Sequence, residues 1–249
     1  MSRLLYGIHP VRAALESGEA VEKILISQES KGGRVQALLA RARKAGVQIQ
    51  FVAPEILRKK TGAKSPQGIV ALVAEVRWWR LEELLEKLKE KDTAPFLLIL
   101  DEVEDPHNLG AIARSAEAFR ADGLILPARR SAPLSAVAVK ASAGALEYLP
   151  VARVGNLAQA LDTLKEAGLW VVGTDERAPE QVWHYDWLGP LAVIIGNEGR
   201  GMRRLIREKC DALVRIPLSG KTPSLNASVA AGIVCYEMAR QRTFKRAKK

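Results

Sequence analysis

The sequence predicts an α/β protein in two blocks, the second built on a parallel sheet. Short apolar runs of strand length alternate with amphipathic helical stretches almost from end to end, the pattern of strands covered by helices on both faces. A charged amphipathic segment, RWWRLEELLEKLKEKDT at 77–93, is closed by Pro95 and divides two such alternations. The basic charge is also unevenly placed. Residues 1–75 hold 12 Lys and Arg against 6 Asp and Glu, and the tail after Glu237 adds Arg240, Arg242, Lys245, Arg246, Lys248 and Lys249 without an acid.

In the first block, 1–75, the β-branched runs at 23–27, 48–52 and 69–74 read as strands. Apolar residues at helical spacing mark helices at 10–17, 34–45 and 54–61. The linker, 76–95, reads as a single helix. Trp78 and Trp79 at its start suit base stacking or packing between domains. In the second block, 96–249, strands are expected at 96–100, 123–126, 149–154, 169–173, 191–195 and 212–216. Helices are expected at 109–120, 134–143, 157–167 (capped by Asn156) and 202–208. A last helix is entered through Ser224, with Asn226 and Ser228 on its first turn.

Composition narrows the class. A chain of 249 residues, 48% hydrophobic and 27% charged, is that of a soluble globular protein with ample core. No apolar run approaches the roughly 18–20 residues that span a bilayer. The opening MSRLLYGIHPVRAAL lacks the apolar core of a signal peptide. Cys210 and Cys235 stand apart without metal spacing, which reads as two buried free thiols in a reducing cytoplasm. A net charge of +10 and a pI near 9.7 favour a polyanionic partner. A whole small domain biased this way indicates nucleic-acid contact.

Familiar motifs fail on spacing. Gly220-Lys221-Thr222 resembles the end of a phosphate-binding loop, but the upstream glycine would fall at Arg215. Gly196-Asn197-Glu198-Gly199-Arg200-Gly201 lacks the dinucleotide spacing. His9, His107 and His184 form no metal grouping, and no G-x-S-x-G elbow is present. What stands out is asparagine. The chain has four, and apart from the helix cap Asn156 each sits in a strand-to-loop context: DPHNLGAIARS, IIGNEGRGM and SLNAS. Turn formation explains any one of them. Three together point to one site that needs the amide's paired donor and acceptor, at the C-terminal ends of strands where open α/β sheets bind ligands.

At these loops the chain resembles the SpoU (TrmH) family of RNA ribose 2′-O-methyltransferases, within the trefoil-knotted SPOUT superfamily. The matching segments are DPHNLGAIARSAEAF at 105–119, IIGNEGRGM at 194–202 and IPLSGKTPSLNASVAAGIVCYE at 216–237. LYGIHPVRAALES and QGIVALV at 67–73 are similar to the small L30e-like RNA-binding domain of the branch that modifies a guanosine ribose in 23S ribosomal RNA. Ser65 and Pro66 stand where many relatives have histidine.

The resemblance implies a C-terminal knot, a cytoplasmic homodimer, RNA rather than DNA or membrane as partner, and S-adenosylmethionine as cofactor. The cofactor would be held near Thr174, Gly196, Ile216, Leu218 and Leu225. The catalytic set it implies is Arg114, Asn108, Glu198, Ser224 and Asn226, with Asn108 and Glu198 orienting Arg114. No metal is implied, since a sulfonium methyl is already electrophilic. The enzyme must align the 2′-hydroxyl and dispose of its proton. A guanidinium that binds the adjacent phosphate and stabilises the developing alkoxide is physically easier than arginine as a base, whose pKa exceeds about 12. A transfer-RNA methylase of the same family and a non-catalytic RNA-binding or assembly factor are the alternatives.

Overall fold

The computed structural model describes residues 2–17, 21–30, 32–62, 67–74 and 77–246. Ser65, Pro66, Val76, Lys248 and Lys249 lie outside them. The chain forms two compact units, Met1–Val76 with Pro133–Ala141, and Arg77–Ala132 with Ser142–Lys249.

The first unit contains β1 (Ser2–Tyr6), α1 (Ile8–Ser17), β2 (Val21–Ser27), α2 (Gly33–Lys44), β3 (Gln48–Val52), α3 (Pro54–Thr61) and β4 (Ile69–Ala74). Its strands lie in the order β1-β4-β2-β3, with only β2 and β3 parallel. The two-residue side-chain alternation of β4 is visible in the core. Ile69, Ala71 and Val73 pack with Val11 and Leu38 from α1 and α2, while Val70 joins Leu57 of α3 and Leu25. Strand β1 is absent from the sequence-based assignment. Its SRLLY is short and half polar, and it pairs only with β4 at the sheet edge.

The second unit begins with β5 (Trp78–Trp79), α4 (Leu81–Lys89), β6 (Phe96–Leu100), α5 (Pro106–Ala118) and β7 (Gly123–Pro127). After α6 (Ala136–Ala141), which belongs to the first unit, it continues with α7 (Ala145–Tyr148), β8 (Val151–Val154), α8 (Leu157–Glu166), β9 (Trp170–Thr174), β10 (Glu180–Gln181) and β11 (Leu191–Ile195). It ends with α9 (Arg204–Glu208), β12 (Ala212–Arg215) and α10 (Ala227–Arg246). Its eight strands lie in the order β10-β12-β9-β11-β6-β7-β8-β5, and every pairing is parallel. All five residues of β6, β7 and β11 are buried, as expected for central strands covered on both faces. Leu97 and Ile99 face a core closed by α4 and α8.

Three sequence-based assignments are corrected. The helix expected at 134–143 in the second block is the shorter α6, which groups with the first unit, and a separate α7 follows it. The expected linker helix is broken: Trp78 and Trp79 form an edge strand beside β8, and the helix starts after Arg80, whose backbone N–H donates to Glu83 at 3.3 Å. Arg77 lies over the Trp79 ring and Arg153 over Trp78, at 4.1 and 5.2 Å from the centroids. The last helix starts at Ala227, so Ser224 belongs to the preceding loop rather than to the helix entry. Its small residues serve packing: a Cβ at Gly232 would sit 3.6 Å from Ser115 Oγ of α5.

Candidate active site

Strands β12, β9, β11 and β6 are consecutive neighbours in the sheet. Being parallel, they release their following loops at one edge, so the three motif loops and Thr174 start side by side. The loop after β6 turns into α5 through Asp105, which accepts from His107 N–H at 2.8 Å, with Pro106 at the first helical position. Asn108 follows on that first turn. The loop after β11 folds on itself through paired backbone bonds between Asn197 and Gly201, 3.1 and 2.9 Å. Asn197 fixes it further, accepting from Gly199 and Arg200 N–H at 3.0 and 3.2 Å and donating to Glu102 O at 3.0 Å. This fold needs glycine at 196: a Cβ there would meet Gly201 C at 2.5 Å and Met202 N at 2.6 Å.

Side chains join the three loops. Asn226 Nδ2 donates to Asn108 Oδ1 at 3.0 Å, and Asn108 Nδ2 donates to Glu198 Oε1. Asn226 Oδ1 accepts from Ser228 N–H at 2.9 Å and from Ser228 Oγ at 2.6 Å, which makes Asn226 the cap of α10. Asn108, Glu198 and Asn226, 118 residues apart at the extremes, therefore form one hydrogen-bonded chain.

The remaining candidates stand around this chain. Arg114 is exposed on α5. Among the described residues it makes no hydrogen bond or ion pair, so the expected orienting contacts from Asn108 and Glu198 are not formed. Ser224 is exposed in the third loop. Thr174 ends β9 and donates through Oγ1 to Ile194 O at 2.9 Å. Ile216 and Leu225 are half-buried and Leu218 is 41% exposed, which leaves apolar side chains on the open loop after β12, two strands over from Gly196 at the end of β11. That donor set fits an adenosine-bearing cofactor, with apolar contacts to the base and loop main-chain groups at its edge.

Sequence reasoning missed an ionic group beneath the second loop. Asp101, fully buried at the end of β6, accepts from Arg203 at N–H (2.9 Å) and Nε (2.7 Å). The next residue, Glu102, takes a left-handed φ of 59° and accepts from Arg130 Nη1 at 3.0 Å. These bonds tie the β6 end to the segments after β7 and β11. The available signal was an acidic pair directly behind the wholly apolar FLLIL, since buried carboxylates need paired donors. Of the two free thiols expected to be buried, Cys235 is buried and Cys210 only half-buried; desolvation pushes both up to about 12, which holds them protonated and unreactive. Among the described residues no group of three or more His, Cys, Asp or Glu is placed to hold a metal ion.

Known proteins resemble the chain over nearly its whole length. Residues 95–236 match the SpoU rRNA Methylase family, and residues 4–79 match the RNA 2′-O ribose methyltransferase substrate-binding family. The chain is 45% identical over 236 residues to the putative TrmH family tRNA/rRNA methyltransferase YacO of Bacillus subtilis, covering 95% of this chain and 94% of that one. It is 43% identical over 246 residues to the 23S rRNA (guanosine-2′-O-)-methyltransferase RlmB of Yersinia pestis, covering 98% and 100%. Among solved structures, the SpoU methyltransferase AviRb from Streptomyces viridochromogenes in complex with AdoMet aligns with a TM-score of 0.65 at 30% identity, over 98% of this chain and 91% of that one.

Proposed function

The chain belongs to the SpoU rRNA methylase family, and from that membership we propose that it methylates the ribose 2′-hydroxyl of a guanosine in 23S ribosomal RNA. The general activity is RNA 2′-O-methyl transfer from S-adenosylmethionine. The observation that carries the site assignment is the chain Asn226–Asn108–Glu198, which unites three loops at the C-terminal edge of the parallel sheet. The choice of 23S RNA rests on the likeness to the Yersinia pestis enzyme over the full length of both chains. Transfer RNA is the second reading, favoured by the broader name of the Bacillus subtilis relative.

Bound S-adenosylmethionine supplies an electrophilic sulfonium methyl group. The protein's part is to hold and orient. Ile216, Leu218 and Leu225 would flank the adenine, with the backbone at Gly196 and the end of β9 at Thr174 closing the slot. Arg114, whose side chain has no partner among the described residues, binds the phosphate beside the target ribose and stabilises negative charge developing on the 2′-oxygen, while the hydroxyl proton leaves to the solvent that reaches this exposed edge. Glu198, Asn108 and Asn226 fix the floor on which the ribose rests, and Ser224 completes its rim. The proposed division is 1–75 for RNA capture, 76–95 as connector and 96–249 for catalysis, except that 133–141 groups with the first compact unit and the connector packs into the core of the second. Exposed basic residues on α2 and α3, including Arg43, Lys44, Arg58 and Lys59, support the first assignment.

The same reading includes a trefoil knot in the second unit and a homodimer in the cytoplasm. It is supported by β12 lying between β9 and β10 and by α10 packing on α5. Val229 and Tyr236 on α10 are 49% and 56% exposed, with Tyr236 edge-on to Phe119 at 6.0 Å, an apolar face suited to a second copy. No described helix is long and apolar enough to cross a membrane. The test is ribose-methylation mapping of RNA from cells with and without the gene. Loss of one 2′-O-methylguanosine in 23S RNA is expected. An unchanged 23S map with a lost transfer-RNA methylation would replace the substrate.

A further inference from the structure

A cavity of about 390 Å³ opens at the same edge of the sheet, between the segments that follow β7 and β8 and the residues that follow the second motif loop. It lies at the ends of β7 and β8, lined by Pro127, Arg129, Arg130, Leu157, Arg203 and Leu205. Neither the cofactor slot nor the asparagine chain uses these residues.

The cations in this cavity are not equivalent. Arg203 is committed to the buried Asp101 carboxylate. Arg130 gives one nitrogen to Glu102 but keeps a 68% exposed side chain with further donors. Arg129 is exposed and has no partner among the described residues. The start of α8 adds little direct bonding, because Asn156 Oδ1 already accepts from Ala158 and Gln159 N–H at 3.0 and 3.3 Å. Two arginines with unused donors therefore stand beside an apolar wall that includes Leu205, which is 56% exposed. An anionic group with a flat apolar part satisfies both halves, and the volume is in the range of small-ligand sites, roughly 300–1,000 Å³.

Position identifies the occupant. Neighbouring strands are about 4.8 Å apart, so the ends of β7 and β8 lie about 5–10 Å from the end of β6. Glu102 links the two places, accepting from Arg130 through its carboxylate and from Asn197 through its carbonyl. We propose that this cavity receives a nucleotide flanking the target ribose in the same RNA strand, its phosphate on Arg129 and Arg130 and its unstacked base against the exposed Leu205. The inference rests on the RNA methyltransferase reading, and it holds for either RNA class. Single-stranded RNA is commonly read through splayed bases stacked on aromatic rings or guanidinium planes, and the unpartnered Arg129 supplies such a plane here.

The test uses the full chain with two variants, Arg129→Ala/Arg130→Gln and Leu205→Trp, and steady-state methylation of in-vitro-transcribed 23S ribosomal RNA and of bulk transfer RNA. Leu205→Trp fills the cavity without removing charge, which separates an occupied pocket from a merely basic surface. Both variants should raise KM for the methylated RNA by about ten-fold or more, which corresponds to about 1.4 kcal/mol of binding free energy. Affinity for S-adenosylmethionine should stay at the wild-type value. The arginine variant should also flatten the log-affinity against log-salt slope by about 1. An active wild type with an unchanged KM in Leu205→Trp overturns the cavity assignment alone. An equal loss of cofactor affinity in both variants overturns it too, by making the cavity a support of the cofactor slot. A wild type that methylates neither RNA overturns the functional reading, and this inference with it.

Discussion

Replacing Asn226 separates the two tasks the structure gives that residue. Its Oδ1 caps α10 by accepting from Ser228 N–H, and its Nδ2 holds Asn108, which in turn holds Glu198. Asn226→Ala loses the cap, about 1 kcal/mol, and an exposed side-chain hydrogen bond near the low end, about 0.5 kcal/mol. Unfolding in urea should therefore show a loss of about 1.5 kcal/mol. Asn226→Asp keeps the acceptor and places a negative charge at the α10 N-terminus, where it is favourable by about 0.3–1 kcal/mol. It removes the donor to Asn108, however, and sets a carboxylate against an acceptor. That variant should be within about 0.5 kcal/mol of wild-type stability and still lose methyl transfer by about 100-fold, the cost of a small misplacement of reacting groups. Cofactor affinity should fall in Asn226→Ala, because the third loop shapes that slot as well. A fully active Asn226→Asp would refute the claim that the asparagine chain organises the ribose site. An Asn226→Ala protein with unchanged urea midpoint would refute the cap energetics.

Other consequences follow from single residues. Arg114→Ala should lose turnover by about 100-fold or more, in the range of a missing transition-state donor, while calorimetry shows unchanged S-adenosylmethionine affinity; equal loss of both would move Arg114 into the cofactor slot. Neutralising Arg58, Lys59 and Lys60 on α3 should weaken RNA binding and flatten its salt slope by about 0.9 for each phosphate no longer neutralised; an unchanged slope would place RNA capture elsewhere. Hydrogen bonding from Arg240 holds the Glu237 carboxyl below its ordinary 4.5. Its contribution to stability is thus present above about pH 4.5 and fades as pH falls through the lower folded value. Glu237→Gln should then lose stability at pH 7 and converge with wild type in acid, which pH-dependent unfolding would check. Methyl transfer should be unaffected by chelators, because the sulfonium needs no Lewis acid; reversible loss on chelation would contradict this mechanism.

Much of the architecture is legible because burial on both faces leaves a strong mark. FLLIL, GLILP and LAVII are uninterrupted apolar runs, and each is a central strand. The strands missing from the sequence-based assignment lie at edges, and the one-turn helix α7, also missing, is too short to show a period. Strand β1 is short and half polar, β10 has two residues, and Trp78–Trp79 merges by periodicity with the helix that follows. Asn108, Glu198 and Asn226 are readable as a set because their loops share rare residues in one context. Their mutual bonds are not readable, nor is the pairing of Asp101 with Arg203 across 102 positions. Such pairings depend on strand order, which a single sequence leaves open.

Methyl transfer to an RNA 2′-hydroxyl at the three loops can be measured outright. The most direct measurement incubates the purified full chain with labelled S-adenosylmethionine and unmodified 23S ribosomal RNA, then digests the RNA to nucleosides for mass spectrometry. The account predicts the label in 2′-O-methylguanosine, at a level reduced by about 100-fold with Arg114→Ala. Label on a base, or equal labelling by wild type and Arg114→Ala, would contradict it.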